Sequence, residues 1–261
     1  YNDINSLKVL FEKYPDKVAC VILEPAATEH PKDNFLQKVK SLCEDFGAVF
    51  ILDEMITGFR WDMKGAQHYY GVEADLCTFG KAMANGFSVA AVCGKREIMQ
   101  LGSTEKIGQE RMFLLSTTHG AEMSGLGAFV ETMKFMESNN VVNHLWKYGE
   151  LLITLMNETA KKFGLEKNFV ANGIACSPYY LTFDKGGDSC LGLRTLFAQE
   201  MVKNGVLMPW IALSYAHGDK ELELTKKALE SSFKVYKKAV KEGFEKYLVG
   251  DAIKPVFRKY N

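Results

Sequence analysis

The stretch that decides the fold is "AVFILDEMITGFR", Ala48 to Arg60. An apolar run, Ala48 to Leu52, stops abruptly on two carboxylates, Asp53 and Glu54. A short, continuous apolar run reads as a strand covered on both faces, the kind found in parallel sheets under helices. A carboxylate where such a strand ends needs a partner, because a desolvated, unpaired charge is costly. The rest of the chain has to supply that partner.

Working outward, "VACVILEP" is a second buried strand, ended by Pro25, and "KDNFLQKVKSLCEDFG" between the two is a helix. That helix shows one apolar face of Phe35, Leu36, Val39, Leu42, Cys43 and Phe46, with Gly47 where a C-terminal glycine belongs. "ADLCTF" and "SVAAVC" are two further strands, with a helix in "KREIMQLG" after them and one in "NSLKVLFEKY" before the first. Strand, helix, strand with buried strands implies an α/β fold with a parallel or mostly parallel sheet. From Ala121 to Phe163 the chain reads as largely helical, broken at "SNN". Beyond Gly164, "FVANGIACSPYYLTFD" is β-like, "LRTLFAQEMVKNG" is a helix, and the amphipathic "DKELELTKKALESSFKVYKKAVKEG" is a last one. The expected organisation is therefore a large α/β domain over 1–163 and a small α+β domain over 164–261.

Composition narrows the function classes. The chain has 261 residues, a formal net charge of zero and 47% hydrophobic residues. Neutral charge gives no argument for nucleic acid or an anionic membrane. The longest apolar runs are strand-length, so no span of a bilayer is expected. The six cysteines form no CxxC pair, and reduced, buried thiols in a cytoplasmic protein are the simplest reading. His30, His68, His119, His144 and His217 show no HExxH or paired spacing, so no metal site is expected. GxGxxG, GxxxxGK[ST] and GxSxG are all absent.

In an open α/β sheet, ligands gather at the carboxyl ends of the strands. Asp53 and Glu54 stand at one such end, and "TFGKAMANG" places Lys81 at another. A lysine amine that binds an aldehyde, with a carboxylate that keeps a pyridine nitrogen protonated, is the pair that pyridoxal phosphate (PLP) chemistry requires. Taken alone, a strand-end Asp also serves as a helix cap, and a Lys after a glycine as a solvated residue. Spacing by itself supports an α/β enzyme with its site at the strand ends.

Four stretches together go further. "VILEPAA", "ILDEMITGFR", "YYGVEADLCTFGKAMANGFSVAAVCGKREIM" and "LSTTHGAEMSGLGA" resemble the class III PLP-dependent aminotransferases, with "VKNGVLMPW" extending the match. Within them the wording is most similar to the glutamate-1-semialdehyde aminomutase branch. The resemblance implies fold type I, PLP as cofactor, an amino donor and a keto or aldehyde acceptor as substrates, and a homodimer. It implies that Lys81 holds PLP as a Schiff base and that Asp53 is the pyridinium partner. Met55 and Ile56 fall where family members contact the ring, with core packing as the alternative. Ile56 replaces the family's Gln or Met and cannot bond the ring hydroxyl. Thr118 matches a threonine that reaches the neighbouring subunit's PLP phosphate, and Glu24 falls on the substrate side. His68 and His119 lie inside the family's words. Glu54 is read as a support for the loop.

Two departures follow from the same resemblance. Relatives carry a long segment before "YNDINSLKVLF", so an N-terminally truncated chain is expected. "VLMPWIALSYAHGDKEL" lacks both the Arg of many class III enzymes and the Glu of the aminomutases, and "THGAE" replaces the mutases' S-G-N-P. A truncated, catalytically silent remnant of such an enzyme is the alternative reading.

Overall fold

The computed structural model describes residues 1–111 and 118–254. They fall into two compact units, Tyr1–Val142 and Asn143–Asn261.

The first unit begins with helix α1 (Ile4–Lys13), strand β1 (Cys20–Leu23), helix α2 (Phe35–Asp45) and strand β2 (Val49–Asp53). The short helix α3 (Ala66–Tyr69) precedes strand β3 (Leu76–Phe79), and strand β4 (Ala91–Gly94) leads into helix α4 (Arg96–Met99). Helix α5 (Met123–Ser138) closes the unit. The strands form one sheet in the order β1-β2-β3-β4. The first two pairings are parallel and the third is antiparallel, so the carboxyl ends of β1, β2 and β3 share one edge.

The apolar period of α2 fixes how it docks. Phe35, Leu36, Val39 and Cys43 are buried with Phe50 and Leu52 of β2. Phe46 leaves that stripe, is 37% exposed and stacks on Phe11 at 4.9 Å. Gly47, at φ 68°, ends the helix in a left-handed turn. Ala48 N bonds Cys43 O at 2.8 Å and Gly47 N bonds Glu44 O at 3.3 Å, the two hydrogen bonds of a Schellman cap. The turn feeds directly into β2.

The sheet differs from expectation on its second face. Ile22, Ile51 and Leu76 form one cross-strand row, in which Ile51 and Leu76 are half-buried and Ile22 is 57% exposed. β1 is therefore not a strand covered on both faces within this unit, because α1 and α2 pack on the side that carries Phe50 and Leu52. The thiols also divide. Cys43, Cys77 and Cys176 are buried, and burial pushes the Cys43 thiol up to about 11 and the Cys77 thiol up to about 12. Cys20 and Cys93 are exposed, contrary to the expected burial, since each lies on an edge strand.

The second unit starts with helix α6 (Val141–Lys162), followed by a hairpin of β5 (Phe169–Ile174) and β6 (Ser177–Thr182). Helices α7 (Leu191–Lys203) and α8 (Asp219–Glu242) complete it. Its centre is aromatic: Phe169, Tyr180, Phe197, Phe233 and Tyr236 are buried against one another. Gly149 of α6 leaves room for the Ala175 carbonyl of the hairpin turn, which a Cβ there would overlap.

The boundary expected after Phe163 falls inside this unit, at the end of α6. The reason is Asn157. Its Nδ2 donates to Ala171 O at 2.8 Å, and Ala171 N donates to its Oδ1 at 2.9 Å. A side-chain amide thus acts as a neighbouring strand for β5, and α6 joins the hairpin rather than the helix before it.

Asn157→Ala leaves both backbone groups of the buried Ala171 without that partner. We expect a loss of about 2–4 kcal/mol in urea unfolding. An unfolding midpoint equal to that of the unchanged protein would overturn this account of the boundary.

Candidate active site

The sheet edge where β1, β2 and β3 end carries the candidate residues. Glu54 is 1% exposed and fully engaged. Its Oε2 accepts from Thr57 Oγ1 at 2.6 Å and Ala66 N at 2.8 Å, and its Oε1 accepts from Gln67 N at 2.8 Å. Gly65, at φ 84°, passes so close that a Cβ there would lie 2.6 Å from Glu54 Oε1. Glu54 thus closes the loop from the end of β2 to the start of α3, as the sequence suggests.

Asp53 is half-buried and differently placed. It is the register partner of Thr78. Its Oδ1 accepts from Thr78 Oγ1 and from Met55 N, both at 3.0 Å. Among the described residues no hydrogen bond or ion pair reaches Oδ2. One oxygen orients the carboxylate and the other is left to accept a donor from elsewhere.

Lys81 follows β3 by two residues. Glu54 N donates to Thr78 O at 2.9 Å, which carries the β2–β3 pairing past Asp53 towards it. Lys81 opens a tight turn over Lys81–Ala84 with φ 47°, a left-handed conformation that a lysine rarely adopts. The turn is anchored by buried Met83 and Ala84, while Lys81 itself is exposed and makes no ion pair among the described residues. Met55 packs over Gly80, so closely that a Cβ on Gly80 would overlap its thioether.

The structure therefore brings Asp53, Met55 and Lys81 together around Thr78 and Gly80. Glu24 stands half-buried just past β1 on the same edge. Ile56 is 40% exposed, so core packing does not account for it. Thr118 lies in an exposed turn ahead of α5, and no contact among the described residues joins it to Asp53 or Lys81. Of the wording around it, Met112 to Thr117 lies outside the described residues. His68, on α3, bonds Asp62 in the turn before that helix at 3.1 Å, and His119 bonds Glu122 at 2.6 Å.

Sequence reasoning missed Thr78. A signal was present: a lone hydroxyl in the otherwise apolar "LCTF", directly across the sheet from Asp53. The contact of Gly80 with Met55 has no local signature in the sequence.

The donor set fits PLP. A carboxylate with one unengaged oxygen suits a pyridine N–H, and an unpaired primary amine suits an aldehyde.

The two carboxylates should separate on substitution. Glu54→Ala strands buried donors at Thr57 and Ala66 and should cost about 3 kcal/mol of stability. Asp53→Asn keeps an acceptor at Oδ1 and should cost less than about 1 kcal/mol. Chemical denaturation of both variants checks this, and equal losses would refute the assignment of separate roles.

The model of the family "Aminotransferase class-III" matches residues 2–177. The 3-aminobutyryl-CoA aminotransferase of Cloacimonas acidaminovorans is 32% identical over 91% of this chain and 58% of its own length. The glutamate-1-semialdehyde 2,1-aminomutase of Alkaliphilus oremlandii is 33% identical over 91% of this chain and 57% of its own length. The chain thus spans a little over half the length of these relatives. Among solved structures, the FumI protein of Sphingopyxis sp. MTA144 in its PLP internal aldimine form superposes with a TM-score of 0.81 at 21% identity. That match covers 93% of this chain and 57% of the other. An omega-transaminase from Sphaerobacter thermophilus gives a TM-score of 0.78 at 22% identity, over 91% of this chain and 56% of the other. The fold is that of the PLP-dependent transaminases, fold type I. With its family model, its relatives and its sheet edge in agreement, the chain belongs to the class-III aminotransferases.

Proposed function

We propose that the protein is a PLP-dependent aminotransferase that moves an amino group from an amino donor to a keto or aldehyde acceptor. The observation that carries this reading is the sheet edge itself. Asp53 is oriented by Thr78 with one oxygen unengaged, and Lys81 stands beyond the end of the adjoining strand without an ion pair among the described residues. The chain's two units then serve as the later part of a large cofactor domain and a small α+β domain.

PLP, when bound, supplies an electron sink for the carbanion at the carbon that carries the amino group. Asp53 would hold the proton on the cofactor's pyridine nitrogen. Thr78 Oγ1 and Met55 N keep the carboxylate from rotating. Lys81 Nζ would be the amine that holds the cofactor's aldehyde, and, once free, the base that would take up and give back a proton at the substrate carbon. Met55, seated on Gly80, and Ile56 line the ring side of the site, and Glu24 faces the substrate side. Thr118 meets the phosphate bound by a second copy of the chain, which makes the working unit a homodimer. The free cysteines suit a reducing compartment, and we place the protein in the cytoplasm. No helix among the described residues is long and apolar enough to cross a membrane. The aminomutase relatives favour a second outcome for the same residues, in which the amino group returns to the same molecule.

Lys81→Ala should abolish transamination and leave circular dichroism unchanged, because an exposed side chain contributes little packing. Borohydride reduction in the presence of PLP should add the phosphopyridoxyl mass to the peptide holding Lys81. A label on Lys64 or Lys95 instead would overturn the assignment. Asp53→Asn should still bind PLP, with turnover lower by at least about a hundredfold, or about 2.7 kcal/mol. Release of a keto product from the donor separates transfer from mutation.

A further inference from the structure

Two thiols face each other across the antiparallel pair of the sheet. Cys77 of β3 and Cys93 of β4 are register partners. Directly opposed residues share one face, and Cys77 is also the partner of Leu52, so both thiols leave on the side that carries Phe50 and Leu52. Opposed side chains do meet across these strands: at the pair two positions away, Lys95 Nζ lies 2.6 Å from Asp75 Oδ1. Lys95 N also donates to Asp75 O at 2.9 Å, which makes that pair the hydrogen-bonded kind. The alternation of an antiparallel ladder gives Cys77 and Cys93 the same kind, with Cα atoms about 5.5 Å apart. That separation lies inside the window of about 4.4–6.8 Å that a disulfide spans.

The two thiols differ in the way a redox pair requires. Cys93 is exposed, so a small oxidant reaches it. Cys77 is buried, and that burial pushes its thiol up to about 12, with the Glu54 carboxylate adding to the shift. Cys77 therefore stays protonated and shielded, and oxidation starts on Cys93. Hydrogen peroxide is an oxidant of matching size. The Cys93 thiolate attacks one peroxide oxygen and the O–O bond breaks. Hydroxide leaves, takes up the proton that Cys93 gave away and becomes water, and Cys93 is left as a sulfenic acid. The Cys77 sulfur then attacks the Cys93 sulfur. The S–O bond breaks, and the hydroxyl leaves with the Cys77 proton as a second water. Two thiols have then lost two hydrogens, and one peroxide has become two waters. Held directly opposite, Cys77 acts as an intramolecular nucleophile, which offsets its small thiolate fraction.

We propose that Cys77 and Cys93 form a reversible disulfide that staples β4 to β3 under peroxide and opens again to a dithiol. The two cysteines are 16 positions apart, and the loop they close contains Lys81 and its tight turn. Opposed Cβ atoms stand about 4.5–5.5 Å apart, against about 3.5–4.5 Å in a relaxed bridge. Closing the bridge therefore strains it, and a strained disulfide is readily reduced. A bond of that kind suits a transient response to oxidant in a reducing compartment rather than a permanent link. The inference rests on strand register and stands independently of the proposed transamination.

The test exposes the folded full chain to a few equivalents of hydrogen peroxide, blocks the remaining thiols with iodoacetamide in urea and cuts with trypsin without reductant. Cleavage after Lys81 puts Cys77 in the peptide 65–81 and Cys93 in the peptide 82–95, so only a disulfide keeps the two together. The joined pair should be the main product of oxidation, lighter by two hydrogens than the two peptides combined, and dithiothreitol should split it. Chain unfolded in urea before oxidation should lose the preference for this pairing, because register is lost. Cys93→Ser should abolish the joined pair and leave Cys77 a free thiol after peroxide, and Cys93→Ala serves in its place if that variant fails to fold. The inference is overturned if Cys93 of the folded chain advances to a sulfinic acid with no joined pair, if Cys20 and Cys43 are the thiols that link instead, or if the unfolded chain gives the same pairing to the same extent.

Discussion

The hydrogen bond from Thr78 Oγ1 to Asp53 Oδ1 is the point on which the candidate site turns. It crosses from one parallel strand to the next at the last register position of β2. A carboxylate at that height is half-buried and is not free to rotate. Holding one of its oxygens leaves the other oriented, and oriented charge is what electrostatic catalysis uses, since no rearrangement is needed when a proton must be held. The neighbouring carboxylate solves the opposite problem. Glu54 has every near donor turned inward, so it closes a loop that would otherwise leave buried backbone N–H groups without partners.

Much of this was legible in the sequence because it is local. The α2 stripe, the Gly47 cap and the apolar runs of β1 to β3 each follow from one short window of residues. Asp53, Glu54 and Lys81 were legible because strand ends are visible as abrupt changes in polarity, and the family resemblance then gave Asp53 and Lys81 distinct roles. Thr78 was not, because its role depends on register, and register between β2 and β3 appears nowhere in either segment. The same holds for Met55 over Gly80. A contact between residues 25 positions apart leaves no periodic trace in the sequence.

The misplaced boundary has a related cause. A change from helices to strands after Phe163 looks like the edge of a domain. The deciding interaction is instead a polar side chain, Asn157, that supplies a strand's hydrogen bonds from within a helix. Periodicity reports which residues avoid water and is silent on which backbone groups a side-chain amide will satisfy. Edge positions show the same blindness. Cys20, Ile22 and Cys93 have the composition of core residues, and only the strand order shows that they lie on β1 and β4, the two outermost strands.

The turn after β3 shows how an exposed side chain can extend from a fixed backbone. Lys81 and Asn85 bound the turn, and both have left-handed φ, 47° and 43°. Such conformations cost about 1–3 kcal/mol each for non-glycine residues and persist only where the surroundings over-determine them. Here the surroundings are explicit. Met83 and Ala84 are buried, and Gly80 is pressed under Met55, where any larger residue would collide. The backbone is therefore held while the four methylenes of Lys81 extend from it into the open. In the role proposed for Lys81, an amine that must first hold a group and then leave it to carry a proton needs that combination: a fixed origin and a free end. A rigid lysine could do the first task and not the second, and a lysine on a loose loop the second and not the first.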